Sequence, residues 1–547
     1  MCGIVTLILR EERFEVEKQK LMNKSQYFAA LWSANFIEHG QTEHVINHNI
    51  SRLSLQDFIN WIHEDRIVIV FYLAPICDIE ELYRLLDLLK LSVLFGVDDL
   101  VNHTTDRIER DFLSPNVAIK IWLLAQELGT NVLRDLSLAV CLDRFDELAL
   151  NSICKLSREN FLKLIGNINV RATKSYLRKI THEWMNHHQG FTVSLKNIEN
   201  KEAKILHGIA SCEHNNREQY VHCWDGNNFF ELTSFEYPPE IIKRCSRLGR
   251  TLEGMQITAR RYDLYLCGGE YGIGSGKINK NIWRYSLISK RWLLETEMPV
   301  ERRHMIVVFL KNKLLLVGGV GRDEQKLKTV DIYNIHTGTW TSGAELPIGF
   351  TSVPEHIIFN DTLIIYQFMP YFDIYFPDEN VWKSGYSWDI CYSEPSADVP
   401  VLTLQTMPCY IDIVDREELV LNTITDTCNM EGCNRIMKTL PYSINGGKSQ
   451  KDKIDPKGHY HLFSKTVYII KSGYSFALSS FFREYGEPTA LLCMDHVIRD
   501  SSPLYLHSIP IRDPRKFSSL ILTKNSGRRF FNLLHPAHLH STNVNYT

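Results

Sequence analysis

Four places in the 547-residue sequence hold residues whose types and spacing could carry chemistry. At the start, Met1-Cys2-Gly3-Ile4-Val5 would present a cysteine if Met1 were removed, and Cys2 could then attack an amide with its own amine as base. Enzymes that use such a nucleophile on glutamine also carry an Arg-Gly-Pro and an Asn-Gly-Glu segment to hold the amide and the oxyanion, and this sequence has neither. Cys2 therefore reads as a short disordered start before a strand. Gly272-Ile273-Gly274-Ser275-Gly276-Lys277 looks like a phosphate cradle. The P-loop form needs glycine and Ser/Thr where Tyr271 and Ile278 stand, and the dinucleotide form would put its third glycine at Lys277, so a flexible loop between strands is the reading. Cys428 and Cys433 have the spacing of half a zinc site, and His535, His538 and His540 cluster near the end. No second close cysteine pair accompanies the first, and the histidines precede polar residues, so loop cysteines and a solvated tail are expected. The expectation is no catalytic residue, no cofactor and no metal.

Composition narrows the remaining classes. A chain of this length suits two to four domains. Hydrophobic content of 44%, charged content of 23% and a net charge of −3 describe ordinary globular material without the basic excess that nucleic-acid binding needs. The longest apolar run, Ile67 to Cys77, is eleven residues, against roughly 20 for a membrane span. Thirteen unevenly scattered cysteines read as reduced thiols in a reducing compartment. These features point to a cytoplasmic protein with no membrane and no nucleic-acid partner.

The elements change character near residue 190. Up to about His188, leucine and charged residues recur at helical spacing; beyond Ile205, short β-branched and aromatic runs alternate with Gly, Pro, Asn and Asp. Lys196 to Lys204 carries five lysine or glutamate side chains and no apolar face, which marks a linker at 196–204. In the first part, Val5 to Leu9, a charged turn at Arg10 to Arg13, and Phe14-Glu15-Val16 predict a hairpin, followed by a helix through Tyr27 to Trp32. Leu55, Phe58, Ile59 and Ile62, and Leu82, Leu85, Leu86 and Leu89, predict two more helices. Ser114 as N-cap, Pro115 as first helical residue and Gly129 as left-handed stop bracket another, with Val117, Ile121, Leu124 and Leu128 on its buried face. Leu177, Ile180, Trp184 and Met185 mark a last one.

The second half repeats itself. Leu264-Tyr265-Leu266-Cys267-Gly268-Gly269 recurs fifty residues later as Leu314-Leu315-Leu316-Val317-Gly318-Gly319. Tyr285 is followed seven residues on by Trp292, and Tyr333 by Trp340 in the same way. A third copy keeps Tyr375 and Trp382 but replaces the glycine pair with Gln367-Phe368. Each unit of about fifty residues predicts one four-stranded sheet, with glycines where backbones approach and the Tyr and Trp rings buried between neighbouring sheets. Weaker strands at Ile205–Gly208, Glu418–Leu421, Val467–Ile470 and Ser519–Leu522 continue the step. Six such sheets are expected, with the last strand closing against the first.

This pattern, with Met298-Pro299-Val300-Glu301-Arg302 after it, resembles the kelch repeat. Upstream, Phe14-x-Val16-x-Lys18, Leu21, Ser25-x-Tyr27-Phe28 and Leu85-Leu86-Asp87-Leu88-Leu89 resemble a BTB domain, and Asn116 to Leu128 with Leu133 to Phe145 a BACK domain. The chain is identified as a divergent member of the kelch-like family. The resemblance implies a multidomain fold: an α/β BTB/POZ domain at 1–105, an all-α BACK domain at 106–195, an all-β six-bladed kelch β-propeller at 205–525 and a polar tail at 526–547.

It also implies a function. Kelch-like proteins bridge a target, held on the propeller, to the cullin-3 scaffold of a ubiquitin ligase, held by BTB and BACK, and do no bond chemistry themselves. The family's cullin contact includes an apolar-x-Glu triplet after the Tyr-Phe helix, which falls here on Phe36-Ile37-Glu38. An aromatic anchor plus a carboxylate suits an interface, although Phe36 also reads as core and Glu38 as solvated. Arg302 and Arg303 are placed to pair with an acidic target, or to make salt bridges between sheets. The histidine usual after Phe-x-Val is Glu17 here. A BTB homodimer is implied, without the family's usual N-terminal swap element. The alternative function is a structural or cytoskeletal interaction protein that binds a filament without ubiquitin transfer.

Overall fold

A computed structural model of the chain describes residues 3–33, 40–48, 50–64, 79–189, 193, 205–212, 218–224, 229–248, 252–272, 274–359, 361–368, 371–386, 409–415, 418–423, 440–442, 460–461, 467–471, 474–478, 490–495, 506–510 and 531–542. Over 385–532 the description is of backbone pairing alone. The chain divides into two units, Met1–Ala203 together with Pro536–Thr547, and Lys204–His535.

In the first unit, β1 (Ile4–Leu9) and β2 (Glu12–Glu17) form the expected hairpin, with Leu7 opposite Phe14 and Arg10 turning at φ 59°. After α1 (Lys18–Lys24) and α2 (Gln26–Leu31), β3 (Glu43–Ile46) returns parallel to β1, giving the order β2-β1-β3. Alternation puts Val5, Leu7 and Leu9 on one face, and the apolar stripes of α2 and α3 (Arg52–Glu64) cover it. Ser25 fixes the entry to α2: its Oγ accepts from the Phe28 N–H at 3.1 Å and donates to the Phe95 carbonyl. The buried Leu55, Phe58, Ile59 and Ile62 of α3, and Leu82, Leu85, Leu86 and Leu89 of α4 (Ile79–Leu94), match the sequence expectation.

From α5 (Asp98–Arg107) the chain passes through one π turn, Ile108–Phe112, into α6 (Pro115–Leu128). Ser114 takes the extended N-cap conformation without a side-chain bond, and Gly129 takes the left-handed stop at φ 68°. The buried side of α6 runs through Ala118, Ile121, Trp122 and Ala125. It is turned from the expected stripe, so that Val117, Leu124 and Leu128 lie at its border. The helices α7 (Asn131–Asp143), α8 (Leu150–Cys154), α9 (Arg158–Ile165) and α10 (Lys174–His187) complete the region. Trp184 stacks on Phe161 at 4.6 Å and donates to the Leu156 carbonyl at 3.0 Å, which satisfies its N–H in the core.

The second unit is a series of four-stranded antiparallel sheets. It opens with β4 (Ile205–Cys212), β5 (Glu218–Trp224) and β6 (Phe229–Glu236), then α11 (Pro239–Leu248) and β7 (Leu252–Glu253). The next sheet contains β8 (Gln256–Arg260), β9 (Asp263–Cys267), β11 (Asn281–Ser286) and β12 (Arg291–Glu297), with β10 (Glu270–Tyr271) paired to β7 beside it. There follow β13 (Ile306–Leu310), β14 (Lys313–Val317), β15 (Val330–Asn334) and β16 (Thr339–Gly343), and then β17 (Glu355–Phe359), β18 (Thr362–Phe368), β19 (Tyr371–Phe376) and β20 (Val381–Tyr386). The strands β21 (Cys409–Asp415), β22 (Glu418–Thr423), β23 (Leu440–Tyr442) and β24 (Tyr460–His461) pair in the order β23-β22-β21-β24. A further sheet holds β25 (Val467–Lys471), β26 (Tyr474–Leu478), β27 (Ala490–Asp495) and β28 (Leu506–Pro510). Finally β29 (Phe531–Leu534) joins β4, so the opening sheet takes its fourth strand from the end of the chain.

That closing strand corrects the sequence reading. It lies inside the stretch 526–547 expected to be a polar tail, and Ser519–Leu522, the expected last strand, falls outside the described residues. Phe531-Asn532-Leu533-Leu534 is too short a run to stand out by itself, yet Leu533 and Leu534 are buried once paired.

The repeated residues hold neighbouring sheets together. Tyr285 and Trp292, Tyr333 and Trp340, and Tyr375 and Trp382 are directly opposed strand partners, with ring centroids 5.2, 5.0 and 5.0 Å apart. Each Trp N–H then donates to the preceding sheet or its exit: Trp292 to the Glu236 carbonyl at 2.8 Å, Trp340 to Thr296 Oγ1 at 3.1 Å, Trp382 to the Ala344 carbonyl at 2.9 Å. The fifty-residue period is thus the repeat of one inter-sheet joint.

Candidate protein-binding surfaces

The glycine-rich loop is already filled by the chain itself. Glu270, buried at the start of the loop, accepts the Gly276 N–H at 2.7 Å and the Ser275 hydroxyl at 3.4 Å through Oε1, and its Oε2 lies 3.0 Å from Arg303 Nε. Donors that could have bound a phosphate thus hold an internal carboxylate. Buried thiols offer no nucleophile either: burial pushes Cys141, Cys223 and Cys267 well above the ordinary thiol range. Cys2, Cys428 and Cys433 lie outside the described residues, and among the described residues no group of three or more His, Cys, Asp or Glu could hold a metal ion.

Arg302 is corrected by the structure. It is 0% exposed, and its guanidinium pairs with Asp331 while donating to the Gly318 carbonyl at 3.2 Å and to the Thr329 carbonyl and hydroxyl at 3.1 Å each. Burial pulls its pKa down, and Asp331 opposes that fall. Its own carbonyl accepts the Gly269 N–H at 3.2 Å, so this residue links one glycine pair to the next. Arg303 does the same from the other side, with its backbone exchanging hydrogen bonds with Val320 and its side chain on Glu270. A left-handed backbone makes these approaches feasible: a Cβ on Gly268, at φ 65°, would stand 2.4 Å from the Arg302 carbonyl oxygen. Both arginines are thus engaged internally: Arg303 pairs back to Glu270 beside the preceding sheet, which fits a salt bridge between sheets, whereas Arg302 pairs with Asp331 of the sheet that follows it.

Phe36 and Glu38 lie outside the described residues. The described chain reaches Ser33 after α2 and resumes at Gly40 before β3.

One surface element escaped the sequence reading. The helix α11 sits in the connection from β6 to β7 and β8, buries Ile241, and exposes Lys243, Arg244 and Arg247. Arg244 lies 5.4 Å over the Tyr271 ring, which ties the helix to the start of the glycine-rich loop. Pro239 followed by Glu240, with Ile241, Cys245 and Leu248 at helical spacing, was the available signal. The strand-rich surroundings hid it.

The BTB/POZ domain family matches residues 5–111, and the kelch motif family matches residues 302–347. Among curated proteins, F-box protein AFR of Arabidopsis thaliana is 24% identical over 123 residues, covering 21% of this chain and 33% of that protein. The chain therefore spans about a third of the length of this relative. Both matched families are protein-interaction domains. No described helix is long and apolar enough to cross a membrane. With a BTB/POZ domain at its start, a helical region after it and a kelch motif within its sheets, the chain has the domain combination of the BTB-kelch proteins.

Proposed function

We propose that the protein is a non-catalytic substrate adaptor of a cullin-3-type ubiquitin ligase, working in the cytoplasm. The six four-stranded sheets among the described residues are read as the blades of a kelch propeller closed by β29 on β4, and this is the end that holds a protein target. Residues 106–195 take the part of a BACK domain and, with the BTB domain, hold the cullin; Phe36 and Glu38 are the residues assigned to that contact, and dimerisation runs through the BTB domain. The observation that carries the reading is the presence of a BTB/POZ domain and a kelch motif in one chain. Because Arg302 and Arg303 are engaged internally, the exposed Lys243, Arg244 and Arg247 of α11 replace them as candidates for contact with an acidic target.

Affinity purification of the full chain, probed for cullin-3, tests the proposal. Cullin-3 is expected with the unmodified chain and lost with Phe36→Ala and Glu38→Ala; its absence from the unmodified sample refutes the adaptor reading. A filament or scaffold recovered in its place would support the structural alternative.

A further inference from the structure

The end of the chain, expected to be solvated, returns to the first unit and is bound there. Leu539 is 0% exposed, and two asparagines that are themselves 3% and 2% exposed, Asn167 and Asn169, read the backbone on either side of its peptide unit. Asn167 Nδ2 donates to the Leu539 carbonyl at 2.7 Å, and Asn169 Nδ2 to the His538 carbonyl at 2.8 Å. The Ile168 N–H donates to the Ser541 carbonyl at 3.1 Å, and Asn167 and Thr542 form an antiparallel bridge. On α7, Asp135 accepts from His540 Nε2 at 2.8 Å. Burial disfavours the charged form of Asp135, but the hydrogen bonds from His540 and Arg134 outweigh it and hold the carboxyl below its ordinary range.

The receiving residues are arranged independently of what they bind. Asn167 Oδ1 accepts the Asn169 N–H at 2.9 Å in a local turn, and the Arg171 N–H donates to the Leu142 carbonyl at 2.8 Å, which pins that turn to the end of α7. Buried carboxamides aimed at main-chain carbonyls, full burial of one leucine and a carboxylate for one histidine are the components of a peptide-recognition site. We propose that the turn Asn167–Asn169 and Asp135 of α7 form a peptide-binding seat whose resident ligand is residues 536–542 of the same chain. The segment acts as a releasable strap. Release of the strap opens the seat to a peptide of the same kind.

The test uses the full chain, its Leu539→Asp variant and a synthetic peptide of residues 536–547. Amide hydrogen exchange at Ile168 should be at least tenfold faster in Leu539→Asp than in the unmodified chain, and saturating peptide should restore the slow rate in the variant. A fluorescent form of the peptide should bind the variant saturably and leave the unmodified chain, whose seat is filled, unlabelled. Equal exchange at Ile168 in both proteins overturns the seating. Fast exchange that the peptide does not slow overturns the exchangeable site. Protection that rises with protein concentration overturns the assignment in cis, in favour of a strap donated by a second copy. If Leu539→Asp unfolds the whole helical region, seen as lost protection at Leu138, then Asn169→Ala carries the same comparison, with weaker peptide binding expected.

Discussion

Replacing Arg302 with methionine removes a buried guanidinium while keeping most of its volume. The change strands the Asp331 carboxylate, which burial already pushes above its ordinary range despite Arg302. It also takes a donor from the carbonyls of Gly318 and Thr329. Removing one partner of a buried ion pair costs about 3–5 kcal/mol, chiefly because the other charge stays behind unpaired, and the lost carbonyl bonds are not additional to that figure since they share one guanidinium. Urea denaturation of the full chain at 25 °C, followed by tryptophan fluorescence, should show a transition at a lower midpoint with unchanged slope. The double variant Arg302→Met with Asp331→Leu removes the stranded charge and should recover most of the loss. If Arg302→Met unfolds at the unmodified midpoint but no longer captures a protein partner, Arg302 is a surface recognition residue and the buried-linker argument is refuted.

The other predictions are read the same way. Gly268→Ala should destabilise far more than Gly129→Ala: both glycines are left-handed, at a cost of about 1–2 kcal/mol for a Cβ, but the new Cβ at 268 would meet the Arg302 carbonyl oxygen at 2.4 Å, whereas at 129 nothing lies within 4 Å. Comparison of the two denaturation midpoints decides it. Trp382→Phe keeps an aromatic ring beside Tyr375 but leaves the Ala344 carbonyl without its 2.9 Å donor, so a loss of about 1 kcal/mol is expected by the same assay. Burial first, and the neighbouring Arg303 second, hold the His304 pKa below 6.5, with Glu253 and Glu270 opposing. The unfolded chain therefore takes up the proton before the folded one: the stabilisation is fully present above about pH 6.5 and is lost progressively as the pH falls from there toward the folded value. Stability measured from pH 7.5 to 5 should decline less steeply in His304→Gln, and equal slopes would contradict the assignment.

What could be read directly from the sequence was whatever repeats or has a strict period. The hairpin at Val5 to Val16, the stripes of α3 and α4, the Gly129 stop and the Tyr–Trp pairs were legible because each follows from local geometry: period 2 in a strand, 3.6 in a helix, and a left-handed residue where only glycine is free to turn. The elements that tertiary structure decided carry no such local mark. Helix α11 is the partial exception: Pro239 and the helical spacing of Ile241, Cys245 and Leu248 mark it, but it is a short insertion among strands. Arg302 looks like any surface arginine after Met-Pro; only the fold brings Asp331, twenty-nine residues away, and the Gly318 carbonyl around it. Phe531 to Thr542 looks polar and terminal, yet four of its residues complete a sheet with β4 and those after them are held by Asn167, Asn169 and Asp135, more than 360 positions back along the chain. Local propensity cannot encode a partner that distant. Those contacts exist because the edge of β4 and the polar groups of Asn167, Asn169 and Asp135 leave hydrogen-bonding partners that residues 531–542 are able to satisfy.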